Sequence, residues 1–135
     1  MQQIRSLIIV WLLVGLFVLT STAQAKSVGG RYLAHGAGGW SCADALAVYN
    51  GNNPRSQAEL DGFLAGYFTA VNIIINNTYD ILAGERHTEA KSKVMEICRA
   101  NPEDTLGNAT AAFTSDVYHR RHSLPPDLQN RRSPD

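Results

Sequence analysis

The chain has two cysteines, Cys42 and Cys98, and both lie downstream of a segment that reads as an export signal. Arg5 supplies a positive start, Leu7 to Leu19 an apolar core, and Ala23-Gln24-Ala25 the small residues of a cleavage site. An uncleaved anchor is the alternative, because residues 7–25 carry no charge, but the strongly apolar core is shorter than the ~20 residues a span requires. No cysteine closes the apolar core, which argues against a lipid-modified N-terminus. The expectation is a protein exported to the periplasm and cleaved near Ala25, touching a membrane only through its signal peptide. In that oxidising compartment an even cysteine count reads as one disulfide. A metal pair or a catalytic thiol would need further ligands or a histidine base, and no CxxC or Cys/His signature is present. Closing the loop between the cysteines would stabilise the fold by about 4 kcal/mol in the chain-entropy model.

Without residues 1–25 the chain is 110 residues long, enough for one domain with one core. That part carries eleven Lys and Arg against twelve Asp and Glu. The balance gives no basic field, so no nucleic-acid partner is expected. Acid changes it: with every carboxyl neutral, the eleven cations and four histidines leave about +15. Such repulsion loosens a small domain while a disulfide keeps it compact.

The hydrophobic pattern is helical throughout. Residues 26–39, rich in glycine and without periodicity, read as a flexible linker. Ser41 and Asp44 offer a capping pair for a first helix to about Tyr49, with Trp40 at the staple position. After a turn at 50–54, Ser56 and Glu59 form a second capping box that opens the longest helix. Its stripe is Leu60, Phe63, Leu64, Tyr67, Val71, Ile74, Ile75 and Thr78. Gly62, Gly66 and Ala70 add a line of small residues where another helix, in this chain or in a second copy, could approach closely. Residues 80–87 read as a loop and Thr88 as the cap of a third helix with Ala90, Val94, Ile97 and Cys98 inside. Asn101 as cap and Pro102 at the first position would start a fourth helix, with Leu106, Ala109, Phe113 and Val117 inside. From Arg120 to Asp135 the polar, proline-bearing end reads as a disordered tail. The fold class is all-α: a small four-helix, bundle-like domain at 40–119 closed by one disulfide.

No constellation for catalysis stands out, and neither a metal nor an organic cofactor is expected. His119 and His122 share a helical spacing but have two arginines between them and no third ligand, so a solvated helix end is the better reading. His35 and His87 fall in the lead and a loop, where they read as solvent residues. The carboxylate pairs Glu59 and Asp61, Glu85 and Glu89, and Glu103 and Asp104 read as helix starts, stabilised by free N–H groups.

Three segments carry a resemblance: Trp40 to Leu46, Gly62 to Tyr67, and Ile97 to Leu106. A W-x-C-x-D-x-L helix opening, a G-x-x-x-G-Y central helix and a C-x-x-N-P-x-x-T-L start occur together and in order. The pattern resembles the HdeA/HdeB family of periplasmic acid-stress chaperones over residues 40 to about 118. The resemblance implies an all-helical fold, a disulfide between these two cysteines, and a homodimer that acid dissociates and loosens. The apolar surface then exposed would hold denaturing periplasmic client proteins in solution. On that reading the working surface is the apolar face of the central helix, carried by Phe63, Leu64, Tyr67, Val71, Ile74 and Ile75. The Rap1a/Tai immunity proteins look similar in size and export, and imply an inhibitor of one secreted toxin. Their continuation after the second cysteine differs from Arg99-Ala100-Asn101-Pro102 here.

Overall fold

In the computed structural model three of the four main helices begin at a side chain that accepts from their free N–H groups. The model describes residues 32–129. The export signal, the first part of the glycine-rich lead and the last six residues lie outside the described residues. The unit treated below begins at Leu33. Its α-helices are α1 (Cys42–Asn50), α2 (Pro54–Ile74), α3 (His87–Ala100), α4 (Leu106–Val117) and the short α5 (Pro126–Gln129). Two 3-10 turns, Gly36–Gly39 and Tyr118–Arg120, flank the bundle. The described residues contain no strand, only isolated antiparallel bridges between Ser41 and Thr105 and between Asp80 and His122. The domain is therefore all-α and closed by one disulfide between Cys42 and Cys98, whose Cα atoms lie 4.8 Å apart.

The first cap is where the sequence puts it. Ser41 Oγ accepts from the Asp44 amide at 3.0 Å, and the Asp44 carboxylate takes the Ser41 hydroxyl at 2.7 Å. The next three starts differ. Asn53, not Ser56, opens α2: its Oδ1 accepts from Arg55 N and Ser56 N at 3.0 and 3.2 Å, and Pro54 takes the first helical position, where its missing N–H does no harm. α3 begins at His87, one residue before Thr88, and the Glu89 side chain reaches back to the Arg86 amide. α4 begins at Leu106 under Thr105, whose Oγ1 accepts from Asn108 N at 3.2 Å.

Asn101 and Pro102 do not start that helix because their segment has another task. Asn101 ends α3, and Asp104 N donates to the Asn101 carbonyl to close a turn. The turn delivers the Asp104 and Pro102 carbonyls to Cys42 N (2.7 Å) and Ala43 N (3.0 Å), while Leu106 N donates to Trp40 O (2.9 Å). The free donors of α1 are thus satisfied by the α3–α4 connection, beside the disulfide.

The core draws on all four main helices. Leu60, Leu64, Phe68 and Val71 of α2 meet Ala90, Val94, Met95 and Cys98 of α3 and Leu106, Ala109, Phe113 and Val117 of α4, with Cys42 and Ala45 from α1. Phe68 sits at the centre, edge-on to Phe113 at 5.9 Å and to His87 at 6.1 Å. His87 is thus half-buried against an aromatic ring rather than a loop residue in solvent. Asn72, the one polar residue between Val71 and Ile75, accepts from Ile81 N at 2.8 Å and anchors the fully buried Ile81.

Both presumed flexible ends are partly structured. Ala37 and Gly38 of the lead are buried, and a Cβ on Gly38 would stand 2.5 Å from the Phe63 ring. Glycine is what lets this turn close over α2, which a composition-based reading takes for flexibility. After α4, residues 120–122 hydrogen-bond to the 78–85 loop and Pro126–Gln129 form α5, so the tail is not disordered where it is described. Local polarity hid this, because the partners are distant in sequence.

Two outcomes are expected. Denatured but unreduced protein contains no maleimide-reactive thiol, and reduction lowers the thermal midpoint by more than ~15 °C, since ~4 kcal/mol acts on a small domain. Thr105→Ala and Asn53→Ala each lower unfolding free energy by about 1 kcal/mol in urea titrations, whereas Ser56→Ala and Thr88→Ala change it by less than ~0.5 kcal/mol.

Candidate functional site

Two of the most exposed apolar side chains of the domain, Ile73 and Ile74, lie at the C-terminal end of α2. α2 ends there because Ile75 leaves the helix as its cap, with its amide still bonded to Val71 O at 3.0 Å, and Asn77 turns the chain with φ of 56°. Ile73 and Ile74 are left 76% and 70% exposed. Two adjacent β-branched side chains this open to water on one helix end form a small apolar patch.

Beside it runs an open groove of about 360 Å³ between α2 and α4. One wall is Tyr67, Val71, Ile74 and Ile75; the other is Ala111, Thr114, Ser115 and Tyr118. No charged residue lines it. The small residues on α4 leave the depression, and Thr114 spends its hydroxyl on the Thr110 carbonyl (2.8 Å), so its methyl can face the groove without an unsatisfied donor. Tyr118 is held by Arg121, whose guanidinium lies 3.9 Å from the ring centroid while its Nη1 donates to Tyr118 O at 3.0 Å.

The six residues singled out from the sequence therefore separate. Tyr67, Val71, Ile74 and Ile75 come together on one groove wall. Leu64 is fully buried in the core, and Phe63 is half-buried against Gly38 and 6.1 Å from the Tyr67 ring, so neither lines the groove. Ile73 and the α4 wall were not in the sequence selection. The apolar run 71–75 carried a signal for Ile73, but the α4 wall depends on how α4 packs across α2. Gly62, Gly66 and Ala70 are exposed, and open space surrounds the two glycines, so no helix among the described residues uses that line.

Two clusters of paired charges lie away from the groove lining. Lys91 donates to Asp61 at 2.6 Å and lies 5.9 Å from the Tyr49 ring centroid, tying α3 to α2 and α1. Glu85, 9% exposed at its side chain, takes Lys93 at 2.8 Å and Arg120 at 3.1 Å through the same oxygen. The Lys93 and Arg120 contacts hold its carboxyl below the ordinary 4.5, against the opposing effect of burial. Glu89 is lowered and Arg86 raised by their mutual pairing. Every displaced titration thus belongs to an ion pair. His119 is exposed and His122 is half-buried, and no group of three or more His, Cys, Asp or Glu residues suited to a metal occurs among the described residues.

No family model, curated protein or solved structure matches this chain. What the fold and site define is a class: a small, disulfide-closed helical domain with an uncharged groove and an exposed isoleucine pair.

If Ile73 and Ile74 serve contact rather than folding, Ile73→Ser and Ile74→Ser change stability by less than ~0.5 kcal/mol each. Phe68→Ala, by contrast, lowers it by roughly 3–5 kcal/mol. Urea titrations of the three variants make the comparison.

Proposed function

We propose that this is a non-enzymatic, chaperone-like protein of the periplasm, similar in action to the HdeA/HdeB family, that holds other proteins through apolar surface. The observation that carries the reading is the uncharged α2–α4 groove bordered by the exposed Ile73 and Ile74. Backbone amides there are already bonded within helices, so a ligand would be recognised by apolar contact and shape rather than by polar readout. That suits unrelated client segments better than a small polar substrate. The paired state of every displaced charge supports a structural rather than a catalytic role for the titratable groups.

Acid would enlarge this surface. Protonation of the carboxyls removes the partners of Lys91, Lys93 and Arg120 and leaves a strongly cationic chain. The Cys42–Cys98 bridge would keep α1 tied to α3 in the loosened state, so that Leu64 and Phe63 join the groove residues as exposed apolar surface.

One feature favours a second reading, a stable inhibitor or immunity protein with a single partner: the isoleucine pair is already exposed in the folded state. The two readings differ in their pH dependence. At about pH 2–3, below ordinary carboxylate values, the chaperone reading expects lost near-UV circular dichroism, binding of a hydrophobic dye, and suppressed aggregation of an acid-sensitive protein. Ile74→Asn with Ile75→Asn is expected to reduce that suppression several-fold. Native spectra at pH ~2 with no suppression would overturn it in favour of the stable binder. Suppression that survives the double substitution would move the surface elsewhere.

A further inference from the structure

The segment after α4 folds back across the loop between α2 and α3 at three successive residues. Arg120 Nη2 donates to Glu85 Oε2 at 3.1 Å, and Arg121 Nε donates to Thr78 Oγ1 at 3.1 Å. His122 N donates to Asp80 O at 2.9 Å, while its carbonyl accepts from Tyr79 N and Asp80 N at 2.8 and 3.1 Å. The same segment begins with Tyr118, one wall of the apolar groove.

Glu85 is the pin of this arrangement. One of its oxygens serves two cations from different elements, Lys93 of α3 and Arg120 of the folded-back segment. The other, Oε1, is buried without a hydrogen-bond partner. Of the other charged or titratable groups nearby, Asp80 spends its carboxylate on the Leu82 and Gly84 amides, and Arg86 and Glu89 pair with each other. The His122 ring lies 3.7 Å from where a side chain on Gly84 would begin. Glu96 of α3 and Asp116 of α4 line the same cavity as Lys93 and Arg120, and Glu89 also feels Lys93, but Glu85 is the carboxylate that bonds both cations directly, so its loss removes the contact that joins them.

We propose that residues 118–122 form a strap latched by Glu85, and that neutralising this carboxylate frees the strap, and with it the Tyr118 wall of the groove, before the helical core opens. The consequence for binding rests on the groove being the working surface; the latch itself does not. The sign follows from the pairing. Lys93 and Arg120 hold Glu85 ionised below its ordinary 4.5, so its contribution is present at neutral pH and is lost as pH falls through that lowered value. The strap is the part that leaves because it is held mainly by exposed or half-exposed contacts, whereas Lys93 sits within α3.

Hydrogen exchange on the full mature protein, disulfide intact and without any client, reads the latch directly. Protection of the Tyr79, Asp80 and His122 amides is expected to fall about tenfold or more between pH ~5 and ~3, while the Val94 and Phe113 amides keep theirs. In Glu85→Gln the strap amides are already unprotected at pH ~6 and no longer respond to acid. Strap and core amides losing protection together in the wild type, or wild-type strap protection in Glu85→Gln, would overturn the proposal. Should Glu85→Gln also lose core protection, Arg120→Gln decides, because it leaves Glu85 bonded to Lys93. An open strap over a protected core then supports the latch, and an unchanged strap refutes it. Since no client is present, failure here is distinct from failure of the groove, which the isoleucine variants report.

Discussion

The structure depends on the junction where Trp40 to Ala43 meets Cys98 and the 102–106 turn. A disulfide there joins α1 to α3, and three backbone hydrogen bonds join the start of α1 to the α3–α4 connection. Neither part would suffice alone. Helix α1 has only nine residues, too few to persist by itself. Its first N–H groups would also lie unsatisfied beside a buried cystine, since Cys42 and Cys98 have no exposed surface. The turn supplies the missing acceptors, and the covalent bond keeps it in reach. With α1 fixed, Ala45 and the Lys91–Tyr49 contact complete one side of the core.

The rest of the domain is organised around α2, which lies between two different environments. Its Leu60, Leu64, Phe68 and Val71 edge is core, while its Gly62, Gly66, Ala70 and Ile73 edge is exposed among the described residues. The groove lies along Tyr67, Val71 and Ile74 near the end of the helix, where α4 offers only the short side chains of Ala111, Thr114 and Ser115. A surface of this kind does not stabilise the monomer, because exposed isoleucines gain nothing from folding. Its presence is best understood through what it can hold.

Two electrostatic clusters restrain the same frame in different ways. The Asp61–Lys91 pair braces helix against helix and is local to the bundle. The Glu85 cluster reaches from α3 to the C-terminal strap, linking the loop after α2 with the groove wall. Such pairs add little to stability when solvated, but a nearly enclosed carboxylate shared by two cations makes the position of the strap sensitive to one proton.

Much of the architecture was legible in the sequence. The period of apolar residues in α3 and α4 placed Val94, Cys98, Leu106, Ala109, Phe113 and Val117 inside, and all six are buried. Two cysteines after an apolar N-terminal segment led to the one disulfide, and Ser41 with Asp44 to the first cap. These are local or pairwise properties, fixed by spacing and chemistry. Phe68 is missed because the stripe runs through Tyr67 between Leu64 and Val71, although Leu60, Leu64 and Val71 are core as expected, and Asn101 reads as a helix start because nothing local reveals that its turn must cap α1. Gly38, a glycine in a glycine-rich lead, and the strap, a run of polar residues, were read as flexible because their partners lie far along the chain. The groove belongs to the same category: the sequence supplied Tyr67, Val71, Ile74 and Ile75, but only the packing of α4 across α2 gave them a second wall and buried Leu64. Periodicity determines which face of a helix is apolar; which part of that face is covered depends on neighbours that only the tertiary fold brings near.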